Sequence, residues 1–246
     1  MKKIIAGMVF ILLLVSLTPL SARAEESSLS VTAYSKFWSK YIGGNGRIFH
    51  DAPVSQSGLI IGWGEGYSLD FWGSYPLDGK DGFGKEIDVT LCKATEFGKS
   101  WSFEACLAWF HLTPKGFSDI ISPQAKLARR FVLSDEHTLT ASLEIEFYFP
   151  TGKLPTWGVL PEAKLVHSWR VADFLTLNHG PLIKPDHGAF GNDPTVLGGY
   201  NAELVWRLNK HLTVQVPMVK FMSPMSKVND GRKSTTVVGT GLAVSF

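Results

Sequence analysis

Beyond its first two dozen residues the chain has no run approaching the about 18 consecutive apolar residues of a membrane-spanning helix. If it crosses a membrane, it must therefore do so as a closed barrel, the other structure in which every backbone polar group finds a partner inside the protein. An excess of charge of one sign is also missing, with 24 basic residues against 22 acidic ones in 246. Such near-neutrality argues against a nucleic-acid partner. There are 2 cysteines, too few for the common structural zinc spacings, and neither a haem motif nor a Gly-rich nucleotide loop occurs. No cofactor and no metal is expected.

Catalytic constellations are absent as well. Some outer-membrane barrels are hydrolases, and the barrel phospholipases and lipid A deacylases carry a His two residues before a Ser, commonly followed by Asn. No His-x-Ser-Asn occurs here: His167-Ser168 has the wrong spacing and His179-Gly180 has no neighbouring nucleophile. His50-Asp51, Asp186-His187 and Asn192-Asp193 fall in loops, where such residues are common for turn reasons alone, although loops also carry function.

Lys2 and Lys3, the apolar run Ile4 to Val15 and the small-residue site Ala22-Arg23-Ala24 read as a secretory signal peptide over residues 1–24. Its removal leaves 21 basic and 22 acidic residues, a net charge of −1 on a barrel domain over 25–246. At the other end Val238, Thr240, Leu242, Val244 and Phe246 alternate with small residues. A last strand with a terminal aromatic resembles the signal by which the barrel-assembly machinery recognises outer-membrane barrels. That machinery and outer-membrane lipid are the expected partners, and the bacterial outer membrane is the expected location.

From Thr138 to Phe149 every second residue is apolar, a period of two that no amphipathic helix can produce. Read this way, the chain predicts an all-β, closed, antiparallel up-and-down transmembrane barrel of about twelve strands, near 29–40, 54–64, 67–76, 85–95, 100–112, 119–133, 137–150, 156–170, 172–183, 196–208, 211–222 and 234–246. Tight connections alternate with long ones rich in Gly, Pro, Asn and Asp, as expected for short periplasmic turns facing longer external loops. On that reading Asn45, Gly188 and Asp230 should be reachable from outside. On the apolar parity Trp63, Trp101, Trp169 and Trp206 fall beside short turns, and Tyr75, Trp109, Phe149 and Trp157 at the opposite strand ends, forming two aromatic girdles.

The opposite parity carries the ionisable residues: Lys36, Lys40, Asp70, Glu86, Asp88, Glu104, Lys126, Arg130, Glu144, Glu146, Glu162, Lys164, Glu203 and Arg207. Charges are costly against lipid, so this sorting makes them candidate pore-lining residues. They either neutralise one another as filler or form a polar passage that selects solutes. Asp70, Glu86, Asp88 and Glu104 lie on three consecutive strands with no base on their inward faces, which predicts an electronegative wall and a modest cation preference. Cys92 and Cys106 share the inward parity on either side of Lys99, so a disulfide between them is expected in an oxidising compartment.

The segments Ser39-Lys40-Tyr41, Pro53-Val54-Ser55-Gln56, Gly66 to Ser74 and Glu86 to Leu91 resemble uncharacterised porin-like outer-membrane proteins of Gram-negative bacteria, over roughly the first third of the mature chain. The resemblance implies fold and location more than activity. Likeness to the twelve-stranded oligosaccharide channels is one of length. The reading that results is a porin-like channel for passive passage of small polar solutes through a narrow, charged lumen, without catalytic residues. The alternatives are an outer-membrane enzyme working on lipid or glycan with loop residues, and a closed structural or adhesive barrel.

Overall fold

Alternating apolar and polar residues give each strand one face for lipid and one for the interior, and such strands are satisfied once the sheet closes on itself. In the computed structural model, which describes residues 29–80, 82–114, 116–228 and 230–246, they do close. The expected signal peptide over 1–24 lies outside the described residues. Among the described residues there are fourteen strands: β1 (Ser30–Trp38), β2 (Tyr41–Ile42), β3 (Ile48–His50), β4 (Val54–Trp63), β5 (Tyr67–Pro76), β6 (Glu86–Phe97), β7 (Trp101–Leu112), β8 (Ile120–Val132), β9 (His137–Pro150), β10 (Gly158–Ala172), β11 (Leu175–Asp186), β12 (Thr195–Arg207), β13 (Leu212–Pro224) and β14 (Thr235–Ser245). Twelve form an antiparallel barrel in chain order, closed by β1 against β14 from Thr32↔Ser245 to Trp38↔Gly239. The other two, β2 and β3, make a separate small hairpin. Among the described residues no helix is long and apolar enough to cross a membrane.

The outer surface carries the bulky apolar parity: Leu59, Phe71, Leu107, Leu143, Leu165, Ile183 and Leu242 are all exposed. Five short turns (64–66, 98–100, 133–136, 173–174, 208–211) lie at one end, called here the turn end, and six longer connections (39–53, 77–85, 113–119, 151–157, 187–194, 225–234) at the other, the loop end. The first short turn depends on glycine. Gly66 has φ +88, and a Cβ there would meet the Ala94 carbonyl oxygen at 2.3 Å, so no other residue fits without moving β6.

The strand limits read from the pattern hold to within about three residues. β11 continues to Asp186 because Lys184 and Asp186 extend its inward face. β13 departs more seriously. Between Gln215 and Met218 it holds one extra residue relative to both β12 and β14, beside Pro217. The bulge switches the inward parity from odd (Gln215) to even (Met218, Lys220, Met222).

The loop end is where expectation and structure part. Asn45 is fully buried, and the first, fifth and sixth loops turn back into the mouth of the barrel. Exposed sites at that end are Lys80 and Lys153 instead. With the loop end outside the cell, a small tag at Lys80 or Lys153 should be labelled on intact cells by an impermeant reagent. One at Lys99 or Asn209 should not; the reverse pattern would invert the barrel.

Candidate functional site

Inside the barrel, the charges predicted to line the bore are largely engaged. Lys126 faces Glu104 on one side and Glu144 on the other, with its Nζ 3.8 Å from the Glu144 carboxylate. Lys184 binds Glu162 at 2.7 Å. Asp70 accepts the one Tyr34 hydroxyl proton, shared between its two carboxylate oxygens at 3.1 Å each, Glu203 accepts from Asn178 (3.1 Å) and Gln215 (3.0 Å), and Glu146 accepts from Tyr148. Glu86 is buried and takes a 2.5 Å hydrogen bond from Tyr41, while Asp88 keeps one buried oxygen without a partner. Lys36 and Lys164 face an open cavity. Arg130 and Arg207 are exposed near the turn-end rim, Arg130 beside a recess shared with Glu96 and Lys99.

Lys40 is a correction. β1 ends at Trp38, so Lys40 lies in the first loop, where its ammonium pairs with Asp51 and holds that carboxyl below the usual carboxylate range.

Cys92 and Cys106 stand directly opposite each other on β6 and β7, Cα atoms 4.1 Å apart and sulfurs at 2.10 Å. Cys92, Glu104 and Cys106 bring their donor atoms within 4.8 Å of one another, but the S–S bond consumes both thiols and leaves no metal site there. In the exported protein the bridge should appear by mass spectrometry as a mass two hydrogens below the reduced chain. Two thiols that alkylate in denaturant without prior reduction would show it absent.

The loop end is filled by a plug. Phe49 of β3 meets Tyr41 at 5.2 Å between ring centroids, Phe83 of the second loop at 5.7 Å and Phe190 of the fifth at 5.5 Å. Phe83 meets Phe117 of the third loop at 4.6 Å, and Phe190 rests on Tyr148 of the β9 wall at 4.8 Å. Phe190 adopts φ +57, an unfavourable backbone conformation for a bulky residue that the packing on both its faces holds in place. Two buried apolar clusters flank this ring chain: Leu112, Ile120, Tyr148, Leu160 and Ala189, and Ile42, Leu197, Met222 and Val237. Burial by the plug and by Glu86 keeps the Tyr41 phenol well above its ordinary range, so it stays a hydrogen-bond donor.

Polar groups lock the same loops. The Arg232 guanidinium of the sixth loop is fully buried. It binds Asp186 at the end of β11 (2.5 Å), Asp230 (2.6 Å), the Asn45 carbonyl of the first loop (3.2 Å) and the Asp193 carbonyl of the fifth. Arg47 binds Asn192 at 2.7 Å, and Asn192 in turn donates to the Ala189 carbonyl at 2.8 Å. Burial works to raise the Asp230 carboxyl, but the Arg232 hydrogen bonds prevail and hold it below the usual range. Four of the six loop residues considered for catalysis are occupied in holding loops: His50 pairs with Asp78 at 3.0 Å, Asp51 with Lys40, Asp186 with Arg232 and Asn192 with Arg47, while His187 and Asp193 contribute backbone contacts.

Sequence reasoning missed Lys184, which lay one residue beyond the expected strand end, and Lys220, which the β13 bulge turned inward. It also missed a polar feature on the outer wall. His137, His167, His179 and Tyr200 run diagonally across β9 to β12, linked Nδ1 to Nε2 at 3.0 Å twice and then His179 Nδ1 to the Tyr200 hydroxyl at 2.6 Å. The members are thirty, twelve and twenty-one residues apart in the chain, so no local spacing reveals them.

No family model and no curated protein matches the sequence. Solved structures do match in shape. The NanC porin aligns at TM-score 0.56 with 10% identity, over 89% of this chain and 99% of that one. The KdgM porin aligns at TM-score 0.56 with 11% identity, over 88% and 99%. The chain has the closed twelve-stranded fold of these outer-membrane porins. The β domain of the Bordetella autotransporter BrkA aligns at TM-score 0.51 with 12% identity, over 90% and 100%. The fold therefore serves more than one kind of outer-membrane protein, and function must be argued from the lumen.

Proposed function

We propose that the protein is an outer-membrane channel that passes small polar solutes passively through a lumen closed at its loop end by interlocked loops. One observation carries the reading: the strand carboxylates keep to the interior parity of a closed barrel whose exterior, the histidine ladder and a few rim cations apart, is apolar, which is the arrangement of a polar passage across lipid. The plug supports a gated passage, since the four loops that meet on Phe49 and Arg232, the first, second, fifth and sixth, fill the mouth without being part of the barrel sheet. No catalytic residue is assigned: of the loop side chains considered, His50, Asp51, Asp186 and Asn192 are engaged with Asp78, Lys40, Arg232 and Arg47. The plug equally favours a second reading, a closed structural barrel. Planar-bilayer recording of the refolded protein separates them: brief conductance steps are expected of a channel, and a silent bilayer, with wild type and with a loop-released variant alike, would leave the structural barrel.

A further inference from the structure

The charges of the lumen are segregated. Acids dominate β5 to β9 (Asp70, Glu86, Asp88, Glu104, Glu144, Glu146), whereas Lys36, Lys164, Lys184 and Lys220 come from β1, β10, β11 and β13. Lys184 has a carboxylate partner, Glu162. Among the described residues no carboxylate lies within 4.0 Å of the Lys36, Lys164 or Lys220 ammonium. These three line one cavity of about 280 Å³ together with Trp38, Asn178 and Asn201. Lys220 is within electrostatic range of Lys36, Lys164 and Lys184 and, with smaller effect, of Glu162, so positive charge outweighs negative there. Glu203, the acid that also borders the cavity, already accepts from Asn178 and Gln215.

We propose that this cavity binds the oxyanion of a small solute, a carboxylate or a phosphate, with Lys36, Lys164 and Lys220 around the anion. Three ammonium groups against the single carboxylate of Glu203 leave this half-buried recess net positive, and a further negative group would satisfy them. The rest of the recess suits the body of such a solute. The Asn201 Oδ1 is buried without a partner and accepts a hydrogen bond from a solute hydroxyl. Trp38, which packs against the buried cluster beside the plug, holds the Lys220 ammonium over its ring at 5.6 Å. The volume is at the lower end of small-molecule sites, about 300 Å³, so a single sugar acid or sugar phosphate fits and a long chain does not. The site adjoins the plug cluster: Trp38 touches both, and on β13 Lys220 is the next inward residue after Met222.

The inference rests on the reading of the lumen as a solute passage, and its test is separable from that reading. Calorimetry on the refolded full barrel in micelles uses D-glucuronate, D-glucose 6-phosphate and neutral D-glucose as probes. The anions should bind at least tenfold more tightly than glucose, and less tightly as salt is raised. Lys164→Gln with Lys220→Gln should weaken anion binding at least tenfold, while Lys153→Gln, which removes one charge outside the lumen, should leave it unchanged. Circular dichroism confirms that each variant is folded. Binding of one anion and not the other supports the site and fixes carboxylate or phosphate as its ligand. Glucose binding as tightly as glucuronate, or a folded double variant that binds anions undiminished, overturns it. A barrel that binds without conducting keeps the site and removes the channel; one that conducts without binding does the converse.

Discussion

Replacing Arg232 by Ala should open the barrel: conductance in a planar bilayer should rise several-fold over wild type, and the first and sixth loops should become sensitive to protease added to intact cells. The guanidinium is fully buried and pairs with both Asp186 and Asp230 while tying the Asn45 and Asp193 carbonyls. Removing one partner of such a buried pair leaves an uncompensated charge, a loss of about 3–5 kcal/mol. The strands do not depend on it, because their ladders close without these loops. The penalty therefore falls on loop docking, and the barrel should still migrate as folded on a gel. Arg232→Lys should fall between, since an ammonium cannot reach both carboxylates and both carbonyls in the planar fork that Arg provides. Acid should act in the same direction. The Asp230 carboxyl is held below its ordinary range, so its contribution is present above the unfolded value, about 3.9, and is lost as pH falls through the lower folded value. Unchanged conductance and unchanged proteolysis in Arg232→Ala would show that the ring packing around Phe49, not the ion pair, holds the plug.

That lock also marks how far the chain was legible as a sequence. The barrel was readable because a period of two over ten or more residues states both the element and the face it buries, and because a slip of one residue would put Glu144 and Glu146 into lipid. The charge sorting that followed from parity was readable for the same reason. Parity failed at β13, where one extra residue beside Pro217 turned Lys220 inward, and Lys220 was therefore left out of the pore-lining set. The plug was not readable. Phe49, Phe83, Phe117 and Phe190 sit in four loops, and Arg232 meets Asn45 across 187 residues, so no window of sequence contains the contacts that order them. Loops rich in Gly, Asn and Asp suggested solvated insertions, whereas Asn45 and Asn192 use those side chains to satisfy buried backbone.

The histidine ladder on the outer wall makes the second large prediction, and its sign depends on how many members are removed. Neutral imidazole has one N–H and one acceptor nitrogen. With Tyr200 donating to His179 Nδ1, His179 Nε2 to His167 Nδ1 and His167 Nε2 to His137 Nδ1, each hydrogen bond has one donor and one acceptor, and the spare N–H falls on His137, the first residue of β9 at the turn end. This lets polar side chains face lipid on a wall where an unsatisfied group has no water to turn to. His167→Leu breaks the ladder at its centre, stranding His137 Nδ1 and His179 Nε2. Each stranded group costs about 1–3 kcal/mol, and a lower urea midpoint of unfolding in lipid vesicles should record the loss. Replacing all three histidines by Leu and Tyr200 by Phe removes donors and acceptors together. Apolar side chains of similar size then face lipid, and the quadruple variant should be as stable as wild type or more so. The deficit of the single variant exceeding that of the quadruple one is the signature of the ladder. A quadruple variant that loses the sum of four independent penalties would mean that the histidines stabilise the wall by their own packing, on Trp169 in the case of His137, and not through one another.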